Sequence, residues 1–175
     1  MYLKLITKEN FNYALKLQNE IFPEYNGKNN YLDSLKDNSK IKFYLIYVND
    51  LCVGITGIYS YKDDRDNAWL GFFGIKEEYR NKGYGKLALK LTEEYAIKFD
   101  FKFMRLFTDK LDNDLAINFY KGMGYEFEDY SCKEESANDK FLVVIGSKSL
   151  TGLKLEKWNN KFLNITKQIS KQNYD

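Results

Sequence analysis

Residues 75–88, Ile-Lys-Glu-Glu-Tyr-Arg-Asn-Lys-Gly-Tyr-Gly-Lys-Leu-Ala, constrain this chain more than any other stretch. An apolar strand there runs into an Arg-x-x-Gly-x-Gly turn that opens an amphipathic helix. The first N–H groups of a helix have no partner within it, and the positive end of the helix dipole stands behind them. With no β-carbon at Gly83 or Gly85, a pyrophosphate can approach that backbone closely. The turn therefore reads as a phosphate cradle set between a strand and a helix.

The flanking pattern extends this unit in both directions. Residues 68–75 read as the strand that feeds the turn, Leu87, Ala88, Leu91, Tyr95 and Phe99 keep helical spacing after it, and residues 102–108 return to strand character. Such a strand–helix–strand crossover is right-handed and its strands are parallel. Gly71 and Gly74 interrupt the feeding strand, a mark of a bulge or of a close approach by a ligand. Upstream, residues 2–6 read as a short strand, and Phe11, Ala14, Leu15, Ile21 and Phe22 share a helical face that Pro23 ends. Tyr31, Leu32 and Leu35 suggest a second, short helix. Two β-rich runs, 41–48 and 51–59, are joined by Asn49-Asp50, a pair suited to a tight antiparallel hairpin. Downstream, residues 113–123 form a short helix ended by Gly124, and residues 125–131 and 140–147 look like the last two strands. The order βααβββαβαββ predicts an α/β (α+β) fold, in which a mixed, mostly antiparallel central sheet of about seven strands is flanked by helices.

Composition narrows the chemistry. A chain of 175 residues that is 44% hydrophobic suffices for one domain with a real core. Its 27 basic and 25 acidic side chains nearly cancel, so a net charge of +2 gives no strong field for nucleic acid, and no nucleic-acid partner is expected. With no histidine, and with Cys52 and Cys132 outside any paired motif, neither a zinc site nor a disulfide scaffold is expected. Acid–base chemistry must then fall to carboxylates, Tyr, Lys, Cys or water. Lys4, Lys8 and Glu9 break the apolar run that a signal peptide would need, and no segment reaches the length of a membrane span. The expectation is a soluble, cytoplasmic protein with no membrane partner.

Two nucleotide-binding alternatives fail on context. Gly83-x-Gly85-x-x-Ala88 fits the dinucleotide fingerprint on paper, but polar residues 76–82 separate strand from glycine, and no acidic residue ends a second parallel strand about 20 residues onward. A Walker loop would need glycine where Arg80 stands and Ser or Thr where Leu87 follows the lysine.

A second motif stands beyond the crossover: Asn113-x-x-Ala116-x-x-x-Tyr120-x-x-x-Gly124-Tyr125. Together with Arg80-Asn81-Lys82-Gly83-Tyr84-Gly85 and the element order, it resembles the GNAT superfamily of acyl-CoA-dependent N-acetyltransferases over residues 2–148. The resemblance implies acetyl-CoA as co-substrate, with backbone amides of Asn81, Lys82, Gly83, Tyr84, Gly85 and Lys86 after Arg80 holding the pyrophosphate. It also implies that Phe73, Gly74 and Ile75 pair with the pantetheine arm, that Asn113 and Ala116 flank that arm, and that Tyr120 is the catalytic acid for the leaving thiolate. In this family the pairing strand splays beside a bulge, and Gly71 and Gly74 are compatible with such a gap. The implied reaction is N-acetylation of a primary amine, small molecule or peptide. A GNAT-like module that binds acyl-CoA without turnover is the alternative, since many relatives place a carboxylate on the strand at residues 68–75 and this chain has none. Asp63, Asp64, Asp109 and Glu78 remain as possible water-linked bases, and the loop at residues 63–66 reads by default as a solvated connection.

Residues 1–149 are expected to form the acetyltransferase domain, with residues 150–175 as a C-terminal extension. There Leu155, Trp158, Phe162, Ile165 and Ile169 repeat at spacings of three and four, predicting an amphipathic helix. Docking on its own domain is one role for that helix, and a homodimer contact is another. A basic surface for nucleic acid or anionic lipid is a third.

Overall fold

The computed structural model describes residues 1–36, 41–61, 64–110, 113–130 and 143–158. Alternation along a strand at Lys42–Val48 sends Phe43 and Leu45 to one side and Tyr44 and Ile46 to the other, and all four are buried. A strand buried on both faces lies between two layers. The elements are β1 (Tyr2–Leu5), α1 (Phe11–Ile21), α2 (Lys28–Ser34), β2 (Lys42–Val48), β3 (Leu51–Tyr59), β4 (Asn67–Ile75), a 3-10 turn (Glu77–Tyr79), α3 (Tyr84–Lys98), β5 (Phe103–Asp109), α4 (Asp114–Lys121), β6 (Glu126–Asp129) and β7 (Val143–Ser149). This is the expected order. Among the described residues seven strands form one sheet in the order β1-β2-β3-β4-β5-β7-β6, in which only β4 and β5 run parallel. At the β2–β3 turn Asn49 and Asp50 both take positive φ, 47° and 64°, as a two-residue hairpin requires.

Helices α1 and α2 cover one face, where Ala14, Leu17 and Tyr31 meet Phe43, Leu45 and Ile55. Helices α3 and α4 cover the other, where Leu89 and Tyr120 meet Ile58, Leu70, Met104 and Leu106. The buried side of α3 differs from its apolar spacing: Leu87 and Phe99 are exposed, while Ala88, Leu89, Thr92, Glu93 and Ala96 face inward. The polar members are tolerated because each is satisfied. Thr92 donates to the Ala88 carbonyl at 2.8 Å and lies 3.1 Å from the Thr56 hydroxyl. Glu93 accepts from Tyr125 at 3.0 Å and is paired with Lys148 at 2.7 Å.

The chain after β7 also departs from expectation. Residues 153–158 carry no regular secondary structure, so the tail helix does not begin at Leu155. The segment is anchored instead from the side: Arg105 Nη2 donates to the Glu156 carbonyl at 3.1 Å, the Trp158 N–H donates to the Glu128 carboxylate, and the Trp158 ring stands edge-on to Trp69 at 4.8 Å. These bonds take the place of helical ones. Phe162, Ile165 and Ile169 lie outside the described residues, as do Asp63 and Cys132. Among the described residues no helix is long and apolar enough to cross a membrane.

Candidate active site

The sheet opens at one place. β4 and β5 pair only through Asn67–Phe103, Ala68–Met104 and Trp69–Arg105. Beyond them β5 continues along β7, and residues 70–75 of β4 keep only β3 as a neighbour. One edge of that segment is left for a second extended chain. Opposite it, Gly57 faces Gly71 and Ile55 faces Gly74, so Thr56 alone faces both Phe72 and Phe73. This is a β-bulge, which bends and twists the strand. Phe72 adopts φ 43°, an uncommon left-handed conformation for a bulky residue that costs about 1 kcal/mol or more. Its ring is held against Phe22 and Phe43, each at 5.9 Å, and Tyr31 at 6.2 Å. The bulge turns Phe73 to the opposite face, where its ring stacks on Phe119 at 6.1 Å and lies 6.2 Å from Tyr120.

The two strand glycines flank the bulge, as expected, and they also admit neighbours from behind. A β-carbon at Gly74 would stand 2.5 Å from Ile21 Cγ2 and 2.9 Å from the Phe22 ring, and one at Gly71 would stand 3.1 Å from Phe43. They let the end of α1 and the Phe43 ring lie directly on β4, which braces the bulge from behind. Gln18, fully buried, fixes the adjoining loop by donating to the Phe22 and Tyr25 carbonyls and accepting from the Gly27 N–H.

The cradle follows β4 through the 3-10 turn. Asn81 and Gly83 take positive φ, 59° and 79°, and no side chain caps α3. The first N–H to bond back is that of Leu87, to the Gly83 carbonyl at 3.3 Å. Those of Tyr84, Gly85 and Lys86 therefore have no intrahelical partner. Nothing lies within 4 Å of where a Gly83 β-carbon would be. One at Gly85 would make ordinary contact with Phe119 at 3.5 Å, so the protein by itself leaves room there. The side chains of the turn close it: Arg80 Nε donates to the Ile75 carbonyl at 3.0 Å, and Lys82 Nζ donates to the Glu78 carbonyl at 3.0 Å.

On α4, Asn113 Nδ2 donates to Thr108 Oγ1 at 2.8 Å, which leaves Oδ1 to accept. Ala116 is half-buried against the α3/α4 core. Tyr120 is 9% exposed, ringed by Phe73, Phe119 and Tyr125, and its hydroxyl has no hydrogen-bond partner among the described residues. Burial pushes its pKa well above the usual tyrosine value, so the phenol keeps its proton.

The candidate bases sort differently. Glu78 is paired with Lys76 at 2.6 Å, and that bond holds its carboxyl below the usual range. Asp64 is buried rather than solvated and accepts from Asn67 Nδ2 at 2.6 Å, at the start of β4. From residue 67 to the bulge at 72 is about 17 Å of strand, too far for direct proton transfer. Asp109 ends β5 at the open side of the sheet. Sequence reasoning missed Phe72, whose conformation is set by distant rings, and Phe119, whose neighbours are known only once α4 is docked. It also missed a cavity of about 550 Å³ beside the cradle, lined by Gly83, Lys86, Leu87, Lys90, Met123 and Lys148.

Comparison with known proteins agrees with this fold. The family model described as the acetyltransferase (GNAT) family matches residues 8–125. Naa50 from Arabidopsis thaliana, solved with the bisubstrate analogue CoA-Ac-MVNAL, superimposes with a TM-score of 0.66 at 24% identity, covering 85% of this chain and 97% of that one. A chimera of the spermidine N-acetyltransferase SpeG from Vibrio cholerae and hSSAT gives 0.67 at 14% identity, covering 86% and 97%. The PaiA N-acetyltransferase of Thermoplasma acidophilum, in complex with coenzyme A, gives 0.64 at 19% identity, covering 85% and 99%. At these identities the likeness is one of fold. A comparison with curated protein sequences returns no significant match.

Proposed function

The chain belongs to the acetyltransferase (GNAT) family, and from that premise we propose that it transfers an acetyl group from acetyl-CoA to a primary amine by direct attack, without a covalent acyl-enzyme. The observation that carries this reading is the parting of β4 from β5 directly ahead of an uncapped α3. The residues present fit acetyl-CoA. The N–H groups of Tyr84, Gly85 and Lys86 hold the pyrophosphate, with Gly85 leaving the approach open. The free edge at Phe73, Gly74 and Ile75 hydrogen-bonds to the amides of the pantetheine arm in the manner of an added strand. Asn113 Oδ1 accepts from the same arm.

Bound acetyl-CoA supplies the acetyl group already activated as a thioester. Around it, a backbone N–H on the open edge near Ile75 stabilises negative charge developing on the carbonyl oxygen. Tyr120, protonated and without a competing partner, donates to the leaving sulfur. β4 carries no carboxylate. An alkylamine of pKa about 10.4 is mostly charged at neutral pH, so the site selects the small neutral fraction or passes the proton to water. Among the compared structures one is of a spermidine N-acetyltransferase chimera and another holds a bisubstrate analogue that joins coenzyme A to a peptide through an acetyl group, and this supports an amine as acceptor class.

Titration calorimetry with acetyl-CoA, followed by thiol release over a panel of polyamines, amino acids and peptides, tests the proposal. Binding together with amine-dependent thiol release is the expected result, and failure to bind acetyl-CoA sinks it. The carboxylate-free β4 favours a second reading, acyl-CoA binding without turnover. That reading survives only if no amine raises thiol release above the background rate.

A further inference from the structure

Trp158 sits where the sheet forks. Trp69 and Arg105 are the last paired residues of β4 and β5, and Trp158 touches both. Its ring stands 4.8 Å from that of Trp69, and the Arg105 guanidinium lies 5.4 Å over it. Ala68 and Leu70 pack toward α3 and α4, so Trp69 between them points to the other face of the sheet. The cradle lies at the start of α3. An amine that does not have to pass the co-substrate therefore reaches the open edge of β4 from the Trp158 side.

The segment after β7 is led toward that opening. The Leu150 N–H donates to the Lys102 carbonyl at 2.8 Å, and the Glu156 carbonyl accepts from Arg105 at 3.1 Å. The Trp158 N–H donates to Glu128, whose neighbour on β7, Ile145, pairs with Phe107. Successive contacts thus climb β5 from residue 102 to 105 to 107, the direction in which β4 and β5 part. Between residues 151 and 157 only Leu155 is even half-buried. One indole, at the end nearest the fork, fixes the exit of the chain.

Lys161 follows Trp158 by three residues and lies outside the described residues. Three residues span at most about 10 Å, and the strand from Trp69 to the bulge at Phe72 also covers about 10 Å. The flexible four-carbon stem of the lysine extends that reach. Building on the acetyl-CoA reading, we propose that the chain acetylates itself at Lys161. The neutral Nζ attacks the thioester carbonyl, and an N–C bond forms as the C–S bond breaks. Tyr120 gives its proton to the leaving sulfur and regains one from water, while the proton shed by the amine passes to water. Tethering makes the encounter intramolecular. Lys167 and Lys171 lie on longer tethers, and Lys154 and Lys157 precede the anchor.

Incubation of the full chain with acetyl-CoA and no added amine, over an about tenfold range of protein concentration, with acetylated lysines mapped by peptide mass, tests the assignment. Lys161 should take up acetyl about tenfold faster than any other lysine, at a first-order rate that dilution leaves unchanged. Trp158→Ala should bring Lys161 down to the rate of the other lysines, with calorimetry showing acetyl-CoA affinity within about twofold of wild type. Lys161→Arg, a surface change that keeps the Trp158 anchor, should remove most of the acetyl incorporated and leave acetyl-CoA affinity as it was. A rate that falls on dilution, acetyl spread evenly over the lysines, or undiminished incorporation in Lys161→Arg overturns the proposal. Calorimetric binding of acetyl-CoA with no lysine modified overturns it too and leaves the acetyl-CoA reading intact. Absence of acetyl-CoA binding refutes that underlying reading itself.

Discussion

Gly83 and Gly85 stand two residues apart and answer different demands. Gly83 sits at φ 79°, a conformation that any side chain strains, although the space around it is empty. Gly83→Ala should therefore cost about 1 kcal/mol of stability, read as a lower melting temperature. Gly85 lies in ordinary helix and faces Phe119 at contact distance. Gly85→Ala should leave stability unchanged or raise it by up to about 1 kcal/mol, because alanine is the better helix former. It should nevertheless weaken acetyl-CoA about tenfold by placing a methyl in the phosphate approach. Undiminished affinity would remove Gly85 from the cradle. Tyr120 makes a separate claim. Tyr120→Phe keeps the ring contacts with Phe73, Phe119 and Tyr125. Acetyl-CoA affinity should stay within about twofold while kcat falls about a hundredfold. Because burial raises the Tyr120 pKa, its acid form persists through the neutral and mildly alkaline range. The wild-type rate should climb with pH as the amine loses its proton, with no falling limb below about pH 10. A falling limb near neutrality would assign the acid to another group.

Among the elements, the segment after β7 has the clearest consequence. Trp158 is 3% exposed and sits against Trp69, while the neighbouring Glu156 carbonyl takes a hydrogen bond from Arg105. Arg105 is itself buried and also donates to Asn67 of β4 and Ser147 of β7, so one guanidinium ties two strands and the tail segment to β5. Trp158→Ala should cost about 3 kcal/mol, and for a chain of this length that lowers the melting temperature by about 6 to 12 °C. An unchanged melting curve would mean that the segment merely rests on the sheet. The same segment marks the limit of sequence reading. Element order followed from periodicity, and the Asn49-Asp50 hairpin from local turn chemistry, because both are set by residues adjacent in sequence. The anchoring of Trp158 depends on Glu128 and Trp69, which are remote in the chain, so the apolar spacing at Leu155 and Trp158 is not helical there. The bulge was foreshadowed by Gly71 and Gly74 but sits between them, at a phenylalanine whose positive φ is held by the rings of Phe22 just after α1, Tyr31 of α2 and Phe43 of β2. Of the site, the cradle was legible as a contiguous motif. The cavity was not, since Lys90, Met123 and Lys148 come from three elements.

At the scale of the whole molecule, tyrosine links the fold to alkaline pH. The chain has 15 tyrosines, and several are packed into both faces of the sheet. Burial pushes Tyr44 and Tyr61 up to about 12, and it pushes Tyr59 and Tyr125 further upward, with the Glu93 carboxylate adding to the effect at Tyr125. In the unfolded chain these phenols ionise near 10. Below that value folded and unfolded states hold the same phenolic protons, and the phenols give stability no pH dependence. Above it the unfolded chain releases protons that the fold retains, so fewer protons are bound unfolded than native and stability falls as pH rises. The fall continues until the folded phenols ionise as well, at about 12 for Tyr44 and Tyr61. Within that window each such phenol removes about 1.4 kcal/mol per pH unit, and several acting together exceed the stability of an ordinary domain. Urea unfolding should thus give similar midpoints between about pH 8 and about pH 9.5, then a steep decline, with cooperative unfolding before about pH 12. Tyrosinate absorbance should rise in step with that unfolding rather than ahead of it. Ionisation of most tyrosines while the protein remains folded would show that the aromatic interior admits water, and the protonated state assigned to Tyr120 would fall with it.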